Sequence, residues 1–260
     1  MMTDPHAALV ERACSGDAAA IELLIAAVER PIYNLAVRML WHPEDARDAT
    51  QDILVRIVTR LSSFRGESRF TSWCYAIAAN HLRGVRKSRV EESGYTFESF
   101  EAELHEPATT SADPNDPEYA VAVEEVKIGC TLGMLQCLDR EHRLAYILGE
   151  ILELDHHEAA SIAGTTPAAF RQRLSRARKA IIAFTQRVCG IVDERNACRC
   201  AQRASYAIEK GRVRLGEPLF GEGVRESARR FGDVEREVRR LEALRRVAAL
   251  YRAHPEFGVR

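Results

Sequence analysis

Two groups of residues in this chain have types and spacings that could grip a charged polymer or do thiol chemistry. The first is the stretch Phe64 to Arg89, FRGESRFTSWCYAIAANHLRGVRKSR. Phe70, Trp73 and Tyr75 fall within six residues there, and Arg83, Arg86, Lys87 and Arg89 close the segment. Aromatic rings stack on the faces of unpaired bases while Lys and Arg neutralise phosphates, so the pattern suits a single nucleic-acid strand. A core helix with buried aromatics and a solvated basic end is the plainer alternative. The second group is Cys189, Cys198 and Cys200, three cysteines in twelve residues. Such thiolates could hold a structural zinc if a fourth ligand arrived from elsewhere, for instance His254, or could act as a redox pair with a spare.

Nothing in the chain has the spacing of a catalytic centre. There is no phosphate-cradling P-loop, no GxSxG, no HExxH and no pair of carboxylates in a catalytic setting, so the expected role is binding, not enzymatic, and no cofactor is required. His156 and His157, at a helix start, read as solvent-facing or as phosphate neighbours. The net charge is −1, so a nucleic-acid surface must come from segregated charge. No apolar run approaches the roughly 20 residues of a membrane span, and the first residues lack the basic-then-apolar order of a signal peptide. The cysteines number seven, and Cys14, Cys74, Cys130 and Cys137 lie singly within helical patterns. That distribution fits a reducing compartment, and the expected location is cytoplasmic.

The elements that must position these residues read as helices, and the expected fold is all-α. Residues 1–90 predict a compact helical domain. Asp17 caps a helix with Ile21, Leu24, Ile25 and Val28. Pro31 opens a second, His42-Pro43 breaks it, and a third near 44–61 buries Ala46, Ala49, Ile53, Ile57 and Val58. Ser68 is a suitable N-cap for the aromatic helix. Residues 91–118 hold nine acidic residues, no Lys or Arg, and three prolines. They read as a flexible linker, either a solvated spacer or a weak shield for basic surfaces.

Residues 119–188 predict a second helical domain, with Asp139 capping a helix that carries Leu144, Ile147, Leu148 and Ile151. Within it, a short helix at His156–Ala163 is followed by Gly164 for a tight turn. Thr166 then caps a new helix with Pro167 at its first position. Phe170, Leu174, Ala177 and Ile181 take the buried side, leaving Thr165, Thr166, Ala168, Arg171, Gln172, Ser175, Arg176 and Lys179 outside. This is the layout of a helix-turn-helix, whose second helix lies in the major groove, where Arg and Gln can pair with guanine and adenine edges. Residues 189–260 form a helical C-terminal extension, with Val234, Val238, Leu241, Leu244, Ala248 and Tyr251 on one apolar stripe.

These motifs, in this order, resemble the two conserved domains of the extracytoplasmic-function sigma factors of bacterial RNA polymerase. Glu44 to Ile53, EDARDATQDI, is similar to the helix that binds the polymerase clamp. Phe64-Arg65-Gly66 with Phe70 to Trp73 and Ala76 to Asn80 is similar to the part that captures and melts the minus-ten element. Glu158-Ala159-Ala160, Arg173-Leu174 and Arg176-Ala177-Arg178 match the module that reads the minus-thirty-five element. The resemblance implies partners, core RNA polymerase and promoter DNA, and leaves open an anti-sigma factor or an autoinhibitory contact from the extension. It also implies roles. Asp45, Asp48, Gln51, Asp52 and Arg56 would dock on the polymerase. Phe70, Thr71, Trp73, Tyr75 and Asn80 would hold unstacked bases, with Arg83, Arg86 and Lys87 on phosphates, and the outward residues of the second helix would read duplex.

Ala168-Ala169-Phe170 departs from the family's usual start to that helix, so base preference does not carry over. The extension is absent from minimal members. A stand-alone helix-turn-helix regulator is the alternative function, and it would leave the 44–56 face and the aromatic patch without a purpose.

Overall fold

The computed structural model describes residues 4–86, 89–92, 94–109, 113–220, 224–225 and 243–258. Regular structure among them is helical, apart from one isolated bridge between Cys189 and Cys198. The N-terminal unit holds α1 (Ala7–Cys14), α2 (Ala18–Leu40), α3 (Pro43–Arg60) and α4 (Phe70–Gly84). Asp17 caps α2 by accepting from the Ala20 N–H at 3.2 Å. One helix runs through Pro31 where the sequence predicts two. The proline forfeits a backbone bond, but Val28, Ile32, Leu35, Ala36 and Met39 bury along a single stripe on both sides of it and hold the helix together.

The start of α4 also differs from expectation. Ser68 does not cap it; instead Asp4, sixty-six residues upstream, accepts from the Phe70 N–H at 2.5 Å. The lead-in to α1 is thus part of the unit. Val58 faces solvent, not the core, because the buried stripe of α3 passes through Ala46, Ala49, Ile53 and Ile57 and leaves Val58 on the outer side.

The acidic stretch contains a helix, α5 (Phe97–His105), where composition gives only a spacer. Its stabilisation is tertiary: Phe100 is buried and stacks on Phe184 at 5.6 Å between centroids, with Phe97 on the same ring at 5.1 Å. Its carboxylates meet arginines from the C-terminal third of the chain. Glu101 pairs with Arg187, Glu103 with Arg212, and Glu118, beyond the helix, with Arg225. Among the carboxylates of this stretch, Glu92 pairs with the basic end of α4, through Arg86 at 3.5 Å. Exposed pairs of this kind contribute only about 0–1 kcal/mol each, so they orient more than they stabilise.

The second unit comprises α6 (Tyr119–Gln136), α7 (Arg140–Tyr146) continuing into a π-turn at Ile147–Ile151, α8 (His156–Ile162) and α9 (Pro167–Val188). After it come α10 (Cys200–Glu209), packed along α6, and α11 (Ala243–Arg252). Val234, Val238 and Leu241 of the apolar stripe lie outside the described residues. Ala248 and Tyr251 are buried, and the Tyr251 ring meets Tyr146 edge-on at 5.3 Å. The core is continuous from α2 through α7 and α9 to α11. No described helix is long and apolar enough to cross a membrane.

Candidate nucleic-acid interface

The helix-turn-helix forms as its local signals dictate. Asp155 caps α8 through the His157 N–H, and Thr166 caps α9 through the Ala169 N–H at 3.2 Å, with Pro167 at its first position. Between them Gly164 sits at φ 59°, and the Thr165 N–H returns to the Ala160 carbonyl at 2.9 Å. This is the left-handed glycine closure of a helix C-terminus, and a β-carbon there would be strained. Phe170, Leu174, Ala177 and Ile181 are buried. Thr166, Ala168, Arg171, Gln172, Arg176 and Lys179 are exposed, and Thr165 and Ser175 are half-exposed. α9 therefore presents one continuous polar, cationic face to solvent.

On α3 the residues Asp45, Asp48, Gln51, Asp52 and Arg56 are all exposed. Val55, 62% exposed, stands among them. Behind this face, His81 lies 3.8 Å from Asp52, and burial together with the Arg56 charge pushes the imidazole pKa down.

The aromatic helix gives a more divided result. Phe70 is fully buried, against Phe64 at 5.8 Å and His6 at 5.7 Å. It is a core anchor and does not present its ring to a base, a correction to the sequence reading. Trp73 and Tyr75 are half-buried, and Trp73 leans on Phe64 at 5.4 Å. Burial pushes the Tyr75 phenol up, with Arg38 pulling it back. Thr71 is half-exposed; Asn80 and Arg86 are exposed. Lys87 lies outside the described residues.

Arg83 is not turned to solvent either. Its guanidinium donates to the Ala163 carbonyl at 3.0 Å and to Asn80 Oδ1 at 2.6 Å, and it pairs with Glu141 at 3.4 Å. The residue read as a phosphate contact instead grips the turn that leads to α9.

That grip is one of several between the two units, none of which local sequence patterns reveal. Ser72 on α4 donates to Glu158 on α8 at 2.5 Å. Arg140 donates to the carbonyls of Leu82, Arg83 and Val85, capping the C-terminal end of α4, and pairs with Glu91 at 2.7 Å. Arg143, fully buried, reaches the carbonyls of Met39, Leu135 and Leu138 and shares Glu91.

The end of the chain fastens the same seam. Phe257 donates its N–H to Asn34 Oδ1 at 2.9 Å and lies under Arg38, while Arg252 reaches the Glu150 carbonyl and Glu153. Burial pushes the Arg38 pKa down to about 10.

No group of three or more His, Cys, Asp or Glu among the described residues is placed to hold a metal ion. His254, the suggested fourth ligand, is buried and engages Thr131 Oγ1 at 2.6 Å instead. Cys130 of α6 lies close enough to Cys189, Cys198 and Cys200 that their charges push its thiol up further, after burial.

Comparison with known proteins bears on these segments. Residues 24–90 match the family model of sigma-70 region 2, and residues 128–181 match that of sigma-70 region 4. The chain is 31% identical over 176 residues to the RNA polymerase sigma-H factor of Pseudomonas aeruginosa, covering 66% of this chain and 90% of that protein. It is 30% identical over 175 residues to the ECF RNA polymerase sigma-E factor of Escherichia coli, with the same coverage. Among solved structures, CnrH in complex with the cytosolic domain of CnrY is similar at 21% identity, with a TM-score of 0.48, covering 68% of this chain and 95% of that one. Both family models end before the extension begins.

Proposed function

This chain belongs to the extracytoplasmic-function sigma factors, and we propose how its surfaces divide the work of directing bacterial core RNA polymerase to a promoter. The observation that supports the reading is that α3 and α9, which fall in the two matched segments, present exposed faces of opposite character. The acidic α3 face around Asp48, Gln51 and Asp52, with Val55, docks on the polymerase. The α9 face, Arg171, Gln172, Ser175 and Arg176 with Lys179 on phosphate, reads the upstream duplex. Trp73, supported by Tyr75, Thr71 and Asn80, takes unstacked bases of the melted strand. Unstacking costs a few kcal/mol per base, and stacking on an aromatic returns about 1–3 kcal/mol per base. Neither contact with DNA need be strong, because polymerase holding both units at a set distance supplies the rest by effective concentration. The chemistry of RNA synthesis stays with the polymerase.

The arrangement described here is the closed one. Arg83 is bound to the α8–α9 turn and also engages Asn80 Oδ1, and residues 252–257 touch both units, so the extension acts in cis as a clasp. Initiation requires α4 to part from α8, which frees Arg83 for DNA. Run-off transcription with bacterial core polymerase and the chain's own upstream region as template tests both statements. We expect a start-site-specific transcript that depends on this chain and rises when the chain is cut after Arg187. Tight binding to palindromic duplex without core would favour the stand-alone regulator instead.

A further inference from the structure

The loop between α9 and α10 brings Cys189 and Cys198 into register, in the one isolated bridge of the structure. The bridge is parallel, and backbones paired in this way run about 4.8 Å apart. A disulfide spans Cα separations of about 4.4–6.8 Å, so the pairing brings the two backbones into that range. Three further features hold the register. The Cys189 carbonyl accepts from the Asp193 N–H at 3.0 Å, and Asn196 Nδ2 bonds both that carbonyl and the Gln186 carbonyl. Gly190 is required at its position, since a β-carbon there would run into the Cys198 carbonyl and the Arg199 guanidinium. Cys189 itself is the residue that ends α9.

We propose that Cys189 and Cys198 are a modification site that a hydroperoxide converts to an intramolecular disulfide, closing the loop that carries the chain from α9 into the extension. The Cys198 sulfur, as thiolate, attacks the peroxide oxygen. The O–O bond breaks, a sulfenic acid forms on Cys198, and the leaving oxygen departs with a proton as water or alcohol. The Cys189 thiol then attacks that sulfur, and the sulfenic oxygen leaves as a second water. Both thiols lose a hydrogen, and the peroxide is reduced by two electrons. Cys198 is taken as the first to react because it has cations beside it: burial, then the Cys189 thiol, push its pKa up, and Arg203 and Arg199 oppose that. Cys130 is half-buried on α6, and its thiol is pushed far up by burial with Arg203 in opposition, so it is a poor attacker. The site does not depend on the function proposed above.

The test uses the full chain, reduced, then treated with hydrogen peroxide, alkylated and digested with trypsin. Cleavage after Arg187, Arg195, Arg199 and Arg203 places Cys189, Cys198 and Cys200 on separate peptides, and Cys130 with Cys137 on a fourth. We expect one dominant cross-link, Val188–Arg195 to Asn196–Arg199, reversed by a thiol reductant, lost in Cys189→Ser and retained in Cys200→Ser. A dominant link to Cys200 or to the Cys130 peptide overturns the assignment, as does the absence of any link. Purification with one thiol-bound metal ion per chain, with all four cysteines unreactive until a chelator is added, overturns it in favour of zinc.

Discussion

Ser72 on α4 donates its hydroxyl to Glu158 on α8 at 2.5 Å, joining the helix that carries Trp73 to the first helix of the helix-turn-helix. A hydrogen bond to a charged acceptor contributes about 1.5–3 kcal/mol. Ser72→Ala should therefore loosen the seam without unfolding either unit. Amide exchange across 70–84 and 156–162 is expected to accelerate about 10–100-fold, the ratio that this energy implies. Unchanged protection on both helices would mean that the contact does not hold them.

Arg143 should be far less forgiving. It is buried, it satisfies carbonyls from both units and it pairs with Glu91, which also holds Arg140. Arg143→Met removes the donors and leaves those carbonyls and a carboxylate dry. Breaking one partner out of such a buried set costs about 3–5 kcal/mol. Chemical denaturation should show a loss of that order, or two transitions where the parent shows one.

How much of this was readable beforehand depends on the range of the interaction. Thr166, Pro167 and Gly164 act within one turn of chain, so the helix-turn-helix and its exposed face follow from local rules. Pro31 misleads because its local cost is outweighed by a buried stripe on both sides. Phe70 misleads because an aromatic residue that anchors a core and one that stacks on a base have the same type and spacing. Arg83 reads as a phosphate contact and Arg140 carries no local signal, because what they bind lies some sixty to eighty residues away in the chain. Cys130 looked isolated for the same reason: the cysteines close to it arrive on a different segment.

The division of labour on the N-terminal unit separates cleanly by mutation. Asp52→Arg reverses a charge on the exposed α3 face and should abolish core binding in a pull-down while leaving the circular dichroism spectrum unchanged. Trp73→Ala should leave core binding intact and lower open-complex formation about 5–150-fold, the range of one lost base stack. If both variants fail in the same assay, the two faces are not separate.

On α9, Arg171 and Lys179 should fail in different ways. Arg171→Ala is expected to cost about 1–3 kcal/mol on the preferred duplex and to relax the choice of base at one position. Lys179→Ala should weaken all sequences alike and reduce the salt slope of binding by about one. Measured as the isolated DNA-binding step within holoenzyme across a salt series, equal slopes for parent and Lys179→Ala would remove that lysine from the phosphate contacts.

The clasp at the end of the chain should respond to acid. His254 is buried against Thr131, and burial, with Arg38 and Lys127 adding repulsion, pushes its pKa well below the ordinary 6.5. The docked imidazole is therefore neutral, whereas a released one gains a proton as pH falls through 6.5. A group whose docked pKa is depressed in this way costs nothing above that value. Below it, docking is penalised by about 1.4 kcal/mol per pH unit until the docked value is reached. Exchange of the amides at 247–257 should thus accelerate about fivefold between pH 6.5 and 5.5 beyond the intrinsic change in exchange rate. His254→Gln, which keeps a polar partner for Thr131 but cannot titrate, should flatten that dependence. A parent chain whose clasp is indifferent to pH over this range would show that the imidazole is not held neutral by docking.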